Sequence, residues 1–255
     1  MTNELDLLLA EIDFLKSELG LQNNLLDEKI FLNLASEYTY ESNRLDGGDI
    51  TLPETELALK IGMMIPGKSM AEYLTVANHF QALQFIHEQT EEETILSESL
   101  IKQIHTILLK GIHRDQPGGV YRNHDIISPD GHALPSPEEL PELMRNAVKD
   151  LRIDGPFMHP VLFAADAHQR LMAIQPFAEA NGVCARLLMN LILHAEGYPL
   201  VNLPGNDAGR AAYFTALQQI HSGEDKVAWF RLVADQLMSD IKALLKRLQD
   251  AREKF

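Results

Sequence analysis

A single cysteine, Cys184, in 255 residues excludes an intramolecular disulfide and fits a reducing compartment. Positive charge is scarce: 22 Lys and Arg face 37 Asp and Glu, a formal net charge of −15. That balance argues against broad binding to nucleic acid or anionic membranes, and leaves room only for a local basic patch. No apolar run approaches the length of a membrane span. Residues 1–20 carry acids throughout and lack a basic segment followed by an apolar one, so no cleaved leader is expected and the expected location is cytoplasmic. No two histidines stand four apart and no Cys/His cluster occurs, so no structural or catalytic zinc is expected. Internal repeats and low-complexity tracts are missing as well. What remains is ordinary globular composition, 45% hydrophobic and 23% charged, enough for one domain with a modest appendage.

Most of the chain has helical periodicity. Leu5, Leu8, Leu9, Ile12, Leu15 and Leu19 form an apolar stripe closed by Gly20; it can pack on its own domain or pair with a second copy in a homodimer. Helices are predicted at 25–45, after Pro53, and at 70–89, 96–112, 138–150, 161–174, 186–197, 209–221 and 227–255. The last turns basic at Lys242, Lys246, Arg247 and Arg252. An acidic run, Glu91-Glu92-Glu93, reads as a solvated junction. The string Gly62-Met63-Met64-Ile65-Pro66-Gly67-Lys68-Ser69 satisfies G-x-x-x-x-G-K-S/T. A phosphate loop needs a strand before it, however, and the preceding pattern is helical. Residues 114–137 do not look helical: Asp125-Ile126-Ile127 and the Asp130-Gly131 turn suggest a short hairpin.

The stretch that organises the rest is Ile174–Arg186. Pro176 interrupts a helix and Asn181-Gly182 opens the next, exposing backbone N–H groups at a helix N-terminus, a seat for phosphate. Glu179 can hold a cation beside that phosphate and Arg186 can meet its charge. The alternative is a plain structural corner. Cys184 in this loop reads as a small buried thiol rather than a nucleophile, and His168 as a structural histidine rather than a substitute base.

These residues resemble the signature of the Fic (Fido) family, H-P-F-x-D/E-G-N-G-R-x-x-R: Pro176, Phe177, Glu179, Asn181, Gly182 and Arg186 are in register. The resemblance spans about Asp27–Leu237, and Arg210, Tyr213 and Leu217 are similar to the family's R-x-x-Y-x-x-A-L segment. It implies an all-α Fic fold with a β-hairpin flap. The implied layout is an N-terminal amphipathic helix at 1–24, a helical region at 25–95, a Fic core at 96–237 and a helical tail at 238–255. It also implies adenylyl transfer from ATP, with Mg²⁺, to a hydroxyl of a target protein.

In those terms Glu179 is the metal ligand, Asn181 and Gly182 the anion cradle and Arg186 a phosphate contact. The flap, with Asn123, Asp125, Ile126 and Ile127, docks an extended segment of a protein partner. Many family members carry an autoinhibitory helix with the pattern S/T-x-x-x-E-G/N. Placed on residues 36–43, that pattern makes Glu41 the inhibitory acid and predicts an ion pair with Arg186, the alternative being a solvated helix charge. Three positions depart from the signature: Gln175 stands at the catalytic His, Ala180 at a Gly and Val183 at the first Arg. A carboxamide is no usable base, and loss of general-base assistance costs about 10²–10⁴ in rate. The expected function is therefore that of a family member with lost or altered catalysis. The alternatives are a non-enzymatic regulatory subunit and a transferase of another phosphate-containing group using a different base.

Overall fold

The computed structural model describes residues 2–20, 28–91, 96–113 and 117–253. Among them the chain runs through α1 (Thr2–Gly20), α2 (Glu28–Leu45), α3 (Leu52–Glu56), α4 (Met70–Glu91), α5 (Glu98–Leu108), α6 (Leu140–Asp154), α7 (Pro160–Ile174), α8 (Asn181–Ala195), α9 (Asp207–His221) and α10 (Val227–Arg252). Residues 25–27 of the predicted second helix and Glu92-Glu93 of the acidic run lie outside the described residues.

Local chemistry sets several boundaries. Ser97 Oγ accepts the Leu100 N–H at the start of α5, and Asn206 Oδ1 accepts the Gly209 N–H at the start of α9. Pro160 opens α7, where its missing N–H costs nothing.

At the centre lies α8, buried continuously from Asn181 to Leu193 and packed along α7 and against α4, α5 and α2. Its residues are apolar nearly all round, as a helix wrapped on every side must be. Its buried polar side chains are Asn181, Arg186 and Asn190; Asn190 is satisfied by the main chain of Val201, donating to its carbonyl (3.2 Å) and accepting from its N–H (2.8 Å). The apolar stripe of α1 packs within the chain: Leu9, Ile12 and Leu19 are buried, and α1 lies along α10 with Lys242–Glu11 and Arg231–Glu4 pairs across the seam. One apolar core draws on residues from Leu9 to Ile241.

One expectation needs correction. No strand occurs among the described residues, so the segment at 123–134 is an irregular loop rather than a β-hairpin. The buried Arg122 guanidinium takes over what a ladder would do, donating to the carbonyls of His124 (3.2 Å) and Pro135 (2.6 Å) at the two ends of the segment. The string at 62–69 follows a π-helical turn, Leu57–Ile61, and Lys68 is engaged by Asp49 (2.8 Å) and Glu72 (3.4 Å). It has no phosphate-loop context.

Candidate active site

The corner between α7 and α8 is held in an uncommon backbone shape. Gln175 (φ 42°) ends α7 and Ala180 (φ 55°) caps α8; among the described residues these are the non-glycine positions in the left-handed region. Each costs on the order of 1–2 kcal/mol, so the surroundings must hold the loop. They do. The Asn181 side chain bridges back to Phe177, accepting its N–H (3.0 Å) and donating to its carbonyl (2.8 Å). Phe177 is fully buried and stacks on the His105 ring at 3.7 Å and 8°. His105 Nδ1 accepts the Gly119 N–H (2.8 Å), which leaves its Nε2–H to donate to the Glu179 carbonyl (3.1 Å). Burial lowers the His105 pKa to about 4 against that bond, keeping the ring neutral as this tautomer requires. Arg122 adds a backbone bond to the Pro176 carbonyl and an Nε bond to the Gln175 carbonyl, both 2.9 Å. The sequence gives no signal for His105; Arg122 lies in a G-x-Y-R segment and could have been found there.

Beneath the loop the N-terminus of α8 already faces an anion. A Cβ on Gly182 would lie 2.7 Å from Asp46 Oδ1 and 3.0 Å from Arg186 Nη1, so the bare glycine lets both side-chain ends approach without shifting. The Asp46 carboxylate pairs with Arg186 Nη2 at 3.1 Å. Arg186 is 1% exposed and also donates to the Ser42 carbonyl (2.7 Å), Ser42 Oγ (3.0 Å) and the Tyr213 hydroxyl (3.4 Å). The predicted Glu41–Arg186 pair is therefore replaced by Asp46–Arg186. Glu41 instead accepts the Gly205 N–H at 2.6 Å.

Glu41 lies within α2, whereas Asp46 follows the helix in the turn after Leu45, where its carboxylate reaches the Arg186 guanidinium that Ser42 also holds. The inhibitory-helix pattern is met by Ser42-Asn43-Arg44-Leu45-Asp46-Gly47, with Asp in place of Glu.

Above the loop is a cavity of about 230 Å³. Gln175 and residues 178–182 form its floor, Asp46, Arg210, Met172 and Phe214 its walls, and Ile126, Ile127 and Pro129 its roof. Asn123 and Asp125 are exposed and do not line it. Gln175 is 3% exposed and its Nε2–H donates to Ser128 Oγ at 2.9 Å. Glu179 stands half in solvent with Oε1 2.6 Å from His113 Nε2. Val183 is buried in the apolar core rather than turned to the anion seat. His168 is fully buried, bonded to the Tyr213 hydroxyl (3.0 Å) and set against Trp229, with its pKa driven down by burial. Cys184 is likewise fully buried, and burial pushes its thiol up, away from nucleophilic use.

A helix–loop–helix corner whose glycine-bearing N-terminus lies beside the Asp46 carboxylate, backed by the buried Arg186, is the candidate functional site of this all-helical fold. Residues 95–193 match the Fic/DOC family. The chain is 35% identical over 192 residues to protein adenylyltransferase Fic of Nematostella vectensis, covering 74% of this chain and 44% of that protein. It is 30% identical over 200 residues to the same-named protein of Drosophila persimilis, covering 78% and 38%. The solved structure of Fic-1 (residues 134–508) of C. elegans superposes with a TM-score of 0.82 at 27% identity, over 98% of this chain and 74% of that one. This chain belongs to the Fic/DOC family. It spans less than half the length of the curated relatives it matches. No helix among the described residues is long and apolar enough to cross a membrane.

Proposed function

We propose that this chain is a nucleotide-binding Fic-fold protein whose adenylyl-transfer chemistry is lost or altered, and whose anion seat is closed from within by Asp46. The observation that carries the reading is the Gln175 side chain. At the position of the family's base it is a hydrogen-bond donor to Ser128 Oγ (2.9 Å), leaving no group there that takes up a proton near neutral pH.

The chain's own groups suit a nucleotide phosphate with a divalent ion. A carboxylate already rests at the α8 N-terminus over Gly182, which is the cradle a phosphate needs. Arg186 supplies a buried positive charge beneath it, and the half-exposed carboxylate of Glu179, which lines the cavity, suits Mg²⁺. ATP, when bound, supplies an activated phosphoryl centre. The Asn181-Gly182 backbone and Arg186 bind and orient its phosphates, and Glu179 holds the cation once it leaves His113. Asp46 competes for Arg186, which makes it an autoinhibitory acid in the role first expected of Glu41. A protein partner is proposed to dock on residues 123–127, where Ile127 is 92% exposed beside the cavity. A protein target follows from the adenylyltransferase relatives, and the second reading, an interaction subunit, rests on that same exposed isoleucine.

The test is calorimetric titration with ATP, with and without Mg²⁺, followed by transfer assays with α-labelled ATP. The proteins are wild type, Asp46→Ala, and Gln175→His/Val183→Arg on the Asp46→Ala background. Binding by Asp46→Ala with label transfer only in the triple variant is the expected outcome. Glu179-dependent transfer by the wild type would refute the loss of catalysis. No binding in any of the three would favour the interaction subunit.

A further inference from the structure

A second cluster of chemistry-bearing side chains lies behind the cavity roof. Asp130 and His132 come from the 123–134 loop and His221 from the C-terminal end of α9. Asp130 Oδ1 is 2.6 Å from His132 Nδ1, and Asp130 Oδ2 is 2.6 Å from His221 Nδ1. The three side chains are 3%, 11% and 5% exposed, and one ligand atom from each falls within 4.8 Å of the others. Ser128 Oγ is a fourth polar atom, 2.8 Å from His132 Nδ1.

The hydrogen positions demand a cation. His132 Nε2 lies 3.2 Å from the Ala173 carbonyl, an acceptor only, so that nitrogen carries a proton. In the neutral ring Nδ1 is then a lone pair, and it faces a carboxylate. Two acceptors at 2.6 Å need positive charge between them, either a second proton or a metal ion. On the other side His221 Nδ1 faces Asp130 Oδ2, while its Nε2 is buried without a hydrogen-bond partner among the described residues.

We propose that Asp130, His132 and His221 bind one divalent transition-metal ion of the zinc class, stapling the 123–134 loop to the end of α9. Two imidazoles and one carboxylate, with Ser128 Oγ or a water in the fourth position, form the N/O donor set that zinc takes in tetrahedral sites. The His132–Ala173 carbonyl bond is the outer-shell contact that fixes the ligating tautomer and orients the ring. Metal–donor bonds of about 2.0–2.2 Å place tetrahedral donors about 3.3 Å apart, so contacts now at hydrogen-bond length must open by less than about 1 Å. Side-chain rotation supplies that. The ligands come from positions 130, 132 and 221, a spacing that no local motif search detects.

Ser128 Oγ, which accepts the Gln175 Nε2–H, links the cluster to the candidate active site, and the test therefore reads ion uptake rather than transfer activity. The full chain, freed of metal by chelator and dialysis, is titrated with Zn²⁺ against a chromogenic competitor. Wild type is expected to take up one ion per chain. Asp130→Asn and His221→Gln are each expected to weaken uptake about 100-fold or more, removal of a ligand being at least as costly as loss of an outer-shell partner. His194→Gln disrupts the other histidine pair, His87 Nδ1···His194 Nε2 at 2.6 Å, and is expected to leave uptake unchanged. Should a ligand variant fail to fold, Co²⁺ loading of the wild type decides: intense visible absorption of a four-coordinate ion is expected. No uptake by the wild type, uptake that survives Asp130→Asn/His221→Gln, loss through His194→Gln, or the weak spectrum of six-coordinate cobalt would each overturn the proposal.

Discussion

Replacing Asp46 with alanine removes the carboxylate salt-bridged to Arg186, which is 1% exposed. Removing one partner of a buried ion pair costs about 3–5 kcal/mol, because the other charge is left uncompensated. The Asp46 side chain is 33% exposed, and Arg186 keeps its bonds to Ser42 and Tyr213, so the low end applies, about 3 kcal/mol. In a chain of this size that corresponds to a fall in Tm of roughly 6–12 °C. A ligand whose phosphate replaces the carboxylate returns most of it, a ligand at 100 times its Kd contributing about 2.7 kcal/mol. In the wild type the same ligand must first displace Asp46, and its effect on Tm is smaller. Thermal unfolding of wild type, Asp46→Ala and Glu41→Ala, each with buffer, pyrophosphate or ATP–Mg²⁺, measures all of this. The reasoning is refuted if Asp46→Ala loses less than about 1 kcal/mol, if pyrophosphate and ATP shift wild type and variant equally, or if Glu41→Ala reproduces the ligand response.

Ala180→Gly relieves a Cβ at φ 55° and is expected to raise stability by about 0.5–1 kcal/mol net of the added unfolded-state entropy; a loss in urea unfolding would contradict it. Arg122→Gln removes guanidinium bonds to three carbonyls, of Gln175, His124 and Pro135, at a cost of about 3 kcal/mol. It also exposes residues 123–134 to protease, and an unchanged digestion rate would count against the clamp. Burial raises the Asp240 pKa to about 7 against bonds from the Asn202 N–H and Gln236. The folded state thus holds a proton that the unfolded chain, near 3.8, gives up, and stability falls as pH rises from about 4 through 7. Asp240→Asn removes that loss, worth roughly a few kcal/mol at pH 8, and parallel stability–pH curves for the two proteins would exclude it.

Periodicity located the helices because a 3.6-residue repeat of apolar side chains is a local property. The signature residues were legible because Pro176, Asn181 and Gly182 act locally: a ring that cannot continue the helix, a side chain that bridges to Phe177 four residues back, and a missing Cβ. The acid paired with Arg186 was misplaced by five residues: Asp46, in the turn after α2, reaches the guanidinium, while Glu41 accepts the Gly205 N–H. The strand expectation at 123–134 failed because Arg122, outside that segment, supplies the bonds a ladder would have made.

The amino-acid order by itself thus determined the helical architecture, the Fic-type corner and the presence of Gln175 at the signature's His position, each a matter of residue type and short-range spacing. Only the tertiary structure decided that Asp46 rests on Arg186, that His105 and Arg122 brace a loop with two left-handed residues, and that Asp130, His132 and His221 meet. Those contacts join helices and loops far apart along the chain. They depend on how buried faces are rotated against one another, which no local pattern records.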